Sequence, residues 1–186
     1  MRIVAGSLRG RGLIAPSRAT TRPTADRVRQ ALFDMLAHAG WAGDALQGTV
    51  LDAFSGTGAL GLEALSRGAA RAVFVDRDRH ALSCTRANIA ACGMEARALV
   101  VAADATRPPP AKAGWDEAGL VFLDPPYHGD LVAPALAALL RKGWVRADAL
   151  IVAEIAADEA LPTDTALLAE RAHGAARLCC WRLAQD

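Results

Sequence analysis

Short apolar runs alternate with segments of helical periodicity through the middle of the chain. The run from Leu120 to Leu123 is continuous, which is typical of a parallel strand covered on both faces. Strands that alternate with helices predict a parallel α/β sheet, because each crossover helix packs back on the sheet. The predicted strands cover residues 50–53, 72–75, 98–102, 120–123 and 150–154, and the predicted helices cover residues 60–67, 79–91 and 131–140.

The N-terminal end follows another pattern. Apolar runs over residues 2–5 and 13–15 flank a glycine-rich segment that carries Arg9 and Arg11, which predicts a small β-hairpin. Thr24 can cap a helix that extends to about residue 39. We therefore predict an N-terminal hairpin and helix that form a basic extension.

The C-terminal end predicts a second hairpin, with strands over residues 166–170 and 177–183 around a turn at His173-Gly174. An antiparallel hairpin at the edge of a parallel sheet differs from a plain dinucleotide-binding fold. We predict a mostly parallel seven-stranded sheet that ends in this hairpin. The chain is divided into the extension over residues 1–40 and a Rossmann-like domain over residues 41–186.

Composition narrows the class of protein. A chain of 186 residues, 53% of them hydrophobic, suits one globular domain with a short appendage. A net charge of +1 excludes a uniformly basic protein that coats nucleic acid. Neither an apolar stretch of about 18 residues nor the apolar region of a secretory signal is apparent, so we expect no membrane span and a cytoplasmic location. The four cysteines form no Cys-x-x-Cys pair, which predicts free thiols and no metal site.

The charge is unevenly distributed. Residues 1–30 carry seven arginines against Asp26 alone, for a net charge of +6, and the remaining residues carry −5. A basic segment on a mildly acidic body favours a polyanionic partner at one end of the molecule. A solvated basic surface without a partner fits the charge alone equally well.

A glycine-rich loop follows the first predicted strand. Gly56, Gly58 and Gly61 match the G-x-G-x-x-G pattern, and Asp76 follows Gly56 by 20 residues. Alone, this pattern could bind NAD or form a purely structural turn. Glycines in such a loop allow the backbone to approach a ligand closely.

Three aspartates at successive strand ends favour another ligand. Asp52 precedes the loop, where a carboxylate suits a cationic ligand rather than a pyrophosphate, and Asp104 follows the third strand. Ligands of open α/β sheets bind at the carboxyl ends of the strands. The pattern fits S-adenosylmethionine, with Asp52 near its amino acid part, Asp76 on the ribose and Asp104 at the adenine. The other candidate cofactor-binding residues are Phe54, Ser55, Thr57, Arg77 and Ala105.

The fourth strand is followed by Asp124-Pro125-Pro126-Tyr127. A conjugated exocyclic amine is a weak nucleophile. The Asp124 carboxylate and the Pro125 carbonyl can accept its two N–H groups and direct its lone pair at a methyl group, while the prolines stiffen the loop. Tyr127 offers a ring on which an extruded base can stack. These four residues are the candidate catalytic residues.

With these motifs, the chain resembles the RsmD-like family of bacterial 16S rRNA guanine-N2 methyltransferases over nearly its whole length. The specific part is N-terminal, namely Arg2-Ile3-Val4-Ala5-Gly6, Arg9-Gly10-Arg11, Arg22-Pro23-Thr24 and the segment from Arg27 to Phe33. The resemblance implies a class I S-adenosylmethionine-dependent fold and methyl transfer to a guanine amine in an assembled small subunit or its assembly intermediate. Gln30, where the family suggests Glu, and Cys179-Cys180-Trp181 depart from its pattern.

The resemblance and the charge together place RNA contacts in the extension. Arg9 and Arg11 lie at the glycine-rich tip, and Arg22, Thr24 and Arg27 are expected nearer the reacting base. We expect a monomer. DNA adenine methylation is an alternative, although no insertion is large enough for a DNA-reading domain, and a noncatalytic RNA-binding module is another.

Overall fold

A computed structural model describes residues 1–15, 23–126, 130–162 and 165–183, without the side chains of residues 23–25. The helices are α1 (Pro23–His38), α2 (Ala59–Ser66), α3 (Arg79–Cys92) and α4 (Val132–Arg141), with a short 3-10 turn at Glu95–Arg97. The strands are β1 (Thr49–Ala53), β2 (Arg71–Asp76), β3 (Ala98–Ala102), β4 (Ala118–Leu123), β5 (Val145–Ala156), β6 (Leu167–His173) and β7 (Ala176–Arg182).

The strands form one seven-stranded sheet in the order β3-β2-β1-β4-β5-β7-β6. β1 to β5 pair in parallel, and β7 pairs antiparallel with both β5 and β6. This confirms the predicted Rossmann-like methyltransferase fold with a C-terminal antiparallel hairpin. Because β1 and β4 lie at the centre, their carboxyl ends open beside each other at the point where the strand order reverses.

The sheet separates two hydrophobic cores. On one face, Phe33 of α1 packs against Phe122 of β4 with ring centroids 5.5 Å apart, together with apolar residues of α2 and α3. On the other face, α4 packs Leu136 and Leu139 on β4 and β5. Burial of this kind contributes roughly 25 cal/mol per Å² of apolar surface. Within the described residues, no helix has the length and apolar character needed to cross a membrane.

Strand β5 is longer than predicted. It spans 12 residues, whereas the apolar pattern predicts only 150–154. Its first half carries Arg146 and Asp148, which interrupt the apolar run and pair with each other at 2.6 Å. The pairing with β4 shifts register between Ala118 and Leu120, so the extra residues continue the strand across an irregularity.

The N-terminal arm, residues 1–15, forms a short hairpin as predicted: Arg2 and Gly12 form an antiparallel bridge, and the N–H groups of Ile3, Gly10 and Leu13 donate to carbonyls across the arm. The N–H groups of Val4 and Ala5 donate to the buried carboxylate of Glu63 in α2, at 2.8 and 3.0 Å. The hairpin is therefore also fastened to α2. Gly6 is needed here, because a Cβ at this position would lie 2.0 Å from the Ser66 carbonyl oxygen.

The predicted free thiols are confirmed. Cys84, Cys92, Cys179 and Cys180 are all unpaired, and all but Cys84 are buried. Adjacent residues of a strand face opposite sides, so Cys180 lies in one core and Cys179 in the other. Burial raises the pKa of Cys180 to about 12.

Candidate active site

Acidic side chains follow one another along the carboxyl edge of the sheet. In the register of the sheet, Ala53 pairs with Leu123 and Leu123 with Ala153, which brings the residues before and after these positions to one edge. Five acids lie at or just beyond this edge, one for each parallel strand: Asp104, Asp76, Asp52, Asp124 and Glu154. Sequence reasoning identified the first four.

A cavity of about 620 Å³ opens above the middle of this edge. Its walls come from α1, the loop after β1, the ends of β4 and β5, and the turn between β6 and β7. Its polar lining includes Arg29, Asp52, Ser55, Thr57, Asp124, Glu154 and His173, and its apolar lining includes Phe54, Leu60 and Leu123. The glycine loop and Asp124 of the Asp-Pro-Pro motif therefore line the same cavity, as the sequence predicts for a donor and an acceptor site.

The glycine loop is shaped by positive φ angles and by packing beneath it. Gly56 and Gly58 have φ angles of 54° and 77°, and Phe54 has 61°. A Cβ at Gly61 would lie 2.4 Å from the Phe74 ring, and one at Gly58 would lie 3.1 Å from the Thr85 methyl group. Gly58 and Gly61 thus allow α2 to lie close to β2 and α3, whereas ligand approach is the role predicted from sequence.

Two buried side chains of α3 brace the loop from below. Thr85 donates to the carbonyl of Gly56 at 2.8 Å. The amide of Asn88 donates to the carbonyls of Thr57 and Ile14, each at 2.9 Å, and its oxygen accepts from the Ile14 N–H at 2.7 Å. The loop is therefore held rigidly before any ligand binds.

Asp52 is buried at the base of the cavity. One of its oxygens accepts from the N–H of Gly61 at 2.9 Å. Burial raises the pKa of Asp52 well above its usual value, and the charges of Asp124 and Asp76 add to this effect. A cationic ligand group in the cavity would offset the cost of keeping this carboxylate ionised.

Asp76 and Asp104 lie at the ends of β2 and β3, outside the lining of the cavity. Asp76 accepts from the N–H groups of Gly56 and Asp78 at 2.8 and 2.9 Å. Asp104 accepts from the backbone and hydroxyl of Thr106, with the Arg77 guanidinium 3.4 Å away. These hydrogen bonds lower the pKa of Asp104.

Arg77 and Ala105, the candidate cofactor-binding residues next to Asp76 and Asp104, differ in exposure. Arg77 is exposed, so its side chain is open to a ligand at this end of the edge. The side chain of Ala105 is buried in the core beneath the sheet, so the backbone is the part of this residue that is left to face a ligand.

Ser55 offers a direct sign of a ligand. Its hydroxyl is buried in the cavity wall, and its Oγ has no hydrogen-bond partner within the described part of the chain. A buried hydroxyl without a partner costs about 1–3 kcal/mol, so such groups normally serve a ligand or water. A polar molecule seated on the loop would satisfy it.

Asp124 directly follows β4, and its side chain is exposed to the cavity. Protein surrounds the carboxylate on its other sides, and this desolvation raises the pKa of Asp124 to about 7, with a smaller contribution from Glu154. Pro125 is buried and Pro126 is exposed. Tyr127 lies outside the described residues, so its stacking role stays a prediction.

The structure adds three residues that sequence reasoning missed. Glu154 lies between the buried residues Ala153 and Ile155 of β5, and the Nε2 atom of His173 lies 3.7 Å from its Oε2. Arg29 of α1 lines the cavity and donates to the Arg2 carbonyl at 2.5 Å and to Asp26 at 2.8 Å. The position of Glu154 at a strand end, beside the strand that leads to Asp124, was the available signal.

The predicted RNA contacts lie on a separate surface. Arg9, Arg11 and Arg27 are exposed, and Arg9 and Arg27 line a second cavity of about 520 Å³ between the arm and α1. Arg27 does not line the main cavity, which Arg29 of the same helix does. Arg22 and the side chain of Thr24 lie outside the described residues, so their roles stay predictions. Gln30, the departure from the family pattern, donates to Asp34 at 2.6 Å.

Comparisons with known proteins agree with this architecture. The family described as Conserved hypothetical protein 95 matches residues 1–182. The Ribosomal RNA small subunit methyltransferase D of Haemophilus influenzae is 34% identical over 94% of this chain and 89% of its own length. The protein of the same name from Escherichia coli K12 is 38% identical over 88% of this chain and 78% of its own length.

Solved structures show the same likeness. That of yhhF from Escherichia coli has a TM-score of 0.80 and 33% identity, and the match covers 100% of this chain and 99% of that one. A hypothetical protein of Thermus thermophilus has a TM-score of 0.74 and 33% identity, with 98% of this chain and 99% of that one covered. The chain therefore belongs to the Conserved hypothetical protein 95 family, which is the RsmD-like family that its motifs indicate.

Proposed function

We propose that this protein transfers a methyl group from S-adenosylmethionine to the exocyclic N2 amine of a guanine in 16S rRNA of the small ribosomal subunit. The observation that supports the proposal is the shared cavity, which is lined both by Asp124 and by Ser55, Gly56 and Thr57 of the glycine loop. Membership of the family and the names of the relatives support methylation of small-subunit rRNA. The guanine N2 target and the S-adenosylmethionine donor are what we propose beyond this.

The residues present fit the donor. The buried Ser55 hydroxyl lacks a partner among the described residues, the Asp52 carboxylate lies at the base of the cavity, and Asp76 fixes the loop through Gly56. We assign Asp52 to the amino acid part of the donor, Asp76 to its ribose and Asp104 to its adenine, with Phe54, Ser55, Thr57 and Arg77 around it. When bound, S-adenosylmethionine supplies the methyl carbon, whose bond to sulfur breaks with the electron pair left on sulfur as the new bond to nitrogen forms.

The protein's own contribution is positioning and electrostatics. Asp124 and the Pro125 carbonyl accept the two N–H groups of the guanine amine, which leaves the nitrogen lone pair directed into the cavity. After the nitrogen–carbon bond forms, the amine carries an extra proton. Asp124, with a pKa of about 7, is suited to accept that proton near neutral pH.

The substrate we propose is the assembled small subunit or an assembly intermediate, met by a monomer in the cytoplasm. Exposed Arg9, Arg11 and Arg27 supply the positive surface for its phosphates. Arg22 and Thr24 belong to the same proposal, and Tyr127 would stack on the base.

The test is methyl transfer from tritiated donor to three substrates in parallel: small-subunit particles from cells lacking the gene, naked rRNA, and duplex DNA. We expect label in the particles, recovered as N2-methylguanosine after nuclease digestion. Label in N6-methyladenine of DNA would contradict the proposal, as would binding of the particles without any transfer. Mapping of the labelled nucleotide then defines the target position.

A further inference from the structure

Glu154 lies beside Asp124 in the main cavity. Leu123 of β4 pairs with Ala153 of β5, so the next residue on each strand occupies the same level of the sheet and the same face. Neighbouring strands are about 4.8 Å apart, and both residues line the cavity. A base whose amine reaches Asp124 is therefore close enough to present an adjacent part of its edge to Glu154.

His173 is a neighbour of Glu154 in the same cavity. Its Oε2 lies 3.7 Å from Nε2 of His173, on the turn that closes the cavity. That Nε2 atom is buried, and it has no hydrogen-bond partner within the described residues. The cavity thus contains two carboxylates side by side, with a buried imidazole nitrogen behind one of them.

Carboxylates that accept but do not donate distinguish bases by their Watson–Crick edges. Guanine carries an N1–H donor next to its N2 amine. Adenine and cytosine also have an exocyclic amine, but the ring nitrogen beside it is an acceptor. A carboxylate opposite that ring nitrogen attracts guanine and repels the other two bases.

We infer that Glu154 is a specificity-determining residue, whose carboxylate accepts the N1–H of the target guanine while Asp124 and Pro125 accept its amine. This inference rests on the proposed function and adds the residue that selects the base.

The test replaces the target guanine with 2-aminopurine in reconstituted particles, at the position mapped above. This base keeps the amine but has an acceptor in place of N1–H. We expect the wild type to methylate guanine about 10- to 100-fold faster than 2-aminopurine in kcat/KM, as for one lost base-edge hydrogen bond. In Glu154→Gln the side chain can donate to the acceptor, so the ratio should fall to about one or reverse.

Binding of the particles gives a second measurement, which needs no S-adenosylmethionine. The fluorescence of 2-aminopurine rises when the base leaves the stack, so titration of the particles reports affinity directly. Glu154→Gln should bind the 2-aminopurine particle more tightly than the wild type does. Glu95→Gln, an exposed glutamate in the 3-10 turn, is the matched control and should retain the wild-type ratio.

The outcomes separate the two proposals. Equal rates on guanine and 2-aminopurine in the wild type would overturn the role of Glu154 while leaving guanine methylation intact. A Glu154→Gln variant that loses activity on both bases in the same proportion would also overturn it, because a merely structural role does not change the ratio. Failure of the wild type to methylate guanine would instead refute the proposed function.

Discussion

The acidic side chains at the carboxyl edge of the sheet differ between its first half, at β1, β4 and β5, and its second half, at β2 and β3. At the ends of β1, β4 and β5, Asp52, Asp124 and Glu154 line an open cavity, and the pKa values of Asp52 and Asp124 are raised. At the end of β3, Asp104 accepts hydrogen bonds from Thr106 and its pKa is lowered. The carboxylates of the first half face the cavity, whereas Asp76 and Asp104 in the second half accept hydrogen bonds from nearby backbone N–H groups. We therefore expect the reaction to take place at the first half, and the second half to support a bound ligand.

The largest effect is expected from removing the carboxylate of Asp124, in the first half of the edge. Asp124→Ala should lower the methyl-transfer rate by a factor on the order of 10²–10⁴, because the amine loses its orientation and its proton acceptor. Affinity for S-adenosylmethionine, measured by calorimetry, should stay close to that of the wild type. Asp158→Ala, in the exposed turn after β5, is the control. A wild-type rate in Asp124→Ala would place the chemistry elsewhere.

In the second half of the edge, a substitution at Asp76 should affect the binding of S-adenosylmethionine rather than the transfer rate. Asp76→Ala should weaken S-adenosylmethionine binding about 10- to 150-fold, or roughly 1.5–3 kcal/mol, because a charge-assisted acceptor is lost and Gly56 loses its partner. Calorimetry measures the affinity, and the transfer rate at saturating donor should change far less. Unchanged affinity would contradict the assignment of Asp76 to the ribose.

The pH dependence of kcat/KM should report on Asp124. If the ionised form of Asp124 is the active one, kcat/KM should rise with pH and level off above an apparent pKa of about 7. Glu154→Gln removes a like charge, so the same profile should move to lower pH. A profile that is flat between pH 5 and 8 would show that Asp124 does not titrate in the reaction.

The stability of the folded protein should change with pH in the direction opposite to that of kcat/KM. The pKa of Asp124 is about 7 in the folded protein and 3.8 in the reference state, so the folded protein binds more protons between these values. Its stability should therefore fall as pH rises from about 4 to 7, and Asp124→Asn should reduce that fall. Urea unfolding at several pH values would measure both curves.

The smallest effect is expected on the basic surface, away from both halves. Replacing Arg9 and Arg11 with alanine should weaken particle binding and reduce the slope of log affinity against log salt by about 1–2, one for each lost phosphate contact. Donor affinity should be unaffected. Titrations at four or more salt concentrations measure the slope. An unchanged slope would move the RNA contacts off the arm.

The order of strands and helices could be predicted from sequence because each buried strand is a short apolar run with turn residues on both sides. The same logic identified Asp52, Asp76, Asp104 and Asp124, since each lies near the end of such a run or just after it. Glu154 follows one too, but it carries no recognisable motif, and its neighbour Asp124 is defined only by the pairing of β4 with β5.

Other features depend on contacts between distant parts of the chain. The packing of Gly61 against Phe74 joins two elements that no local pattern relates. The sequence predicts the hairpin of the N-terminal arm but not its attachment, in which the N–H groups of Val4 and Ala5 donate to Glu63, a glutamate that sequence periodicity places on an ordinary helix. Arg27 and Arg29 are equally basic in sequence, and only the packing of α1 decides which one faces the cavity.

Asn88 has a consequence for protein engineering. Its side chain holds Ile14 of the arm and Thr57 of the glycine loop at the same time, while Glu63 and Ser66 hold the rest of the arm on α2. Deleting the arm would remove hydrogen-bond partners from three buried polar side chains, Glu63, Ser66 and Asn88. The arm is thus not a detachable module, and a chimera that exchanges it between relatives must exchange Glu63, Ser66 and Asn88 with it.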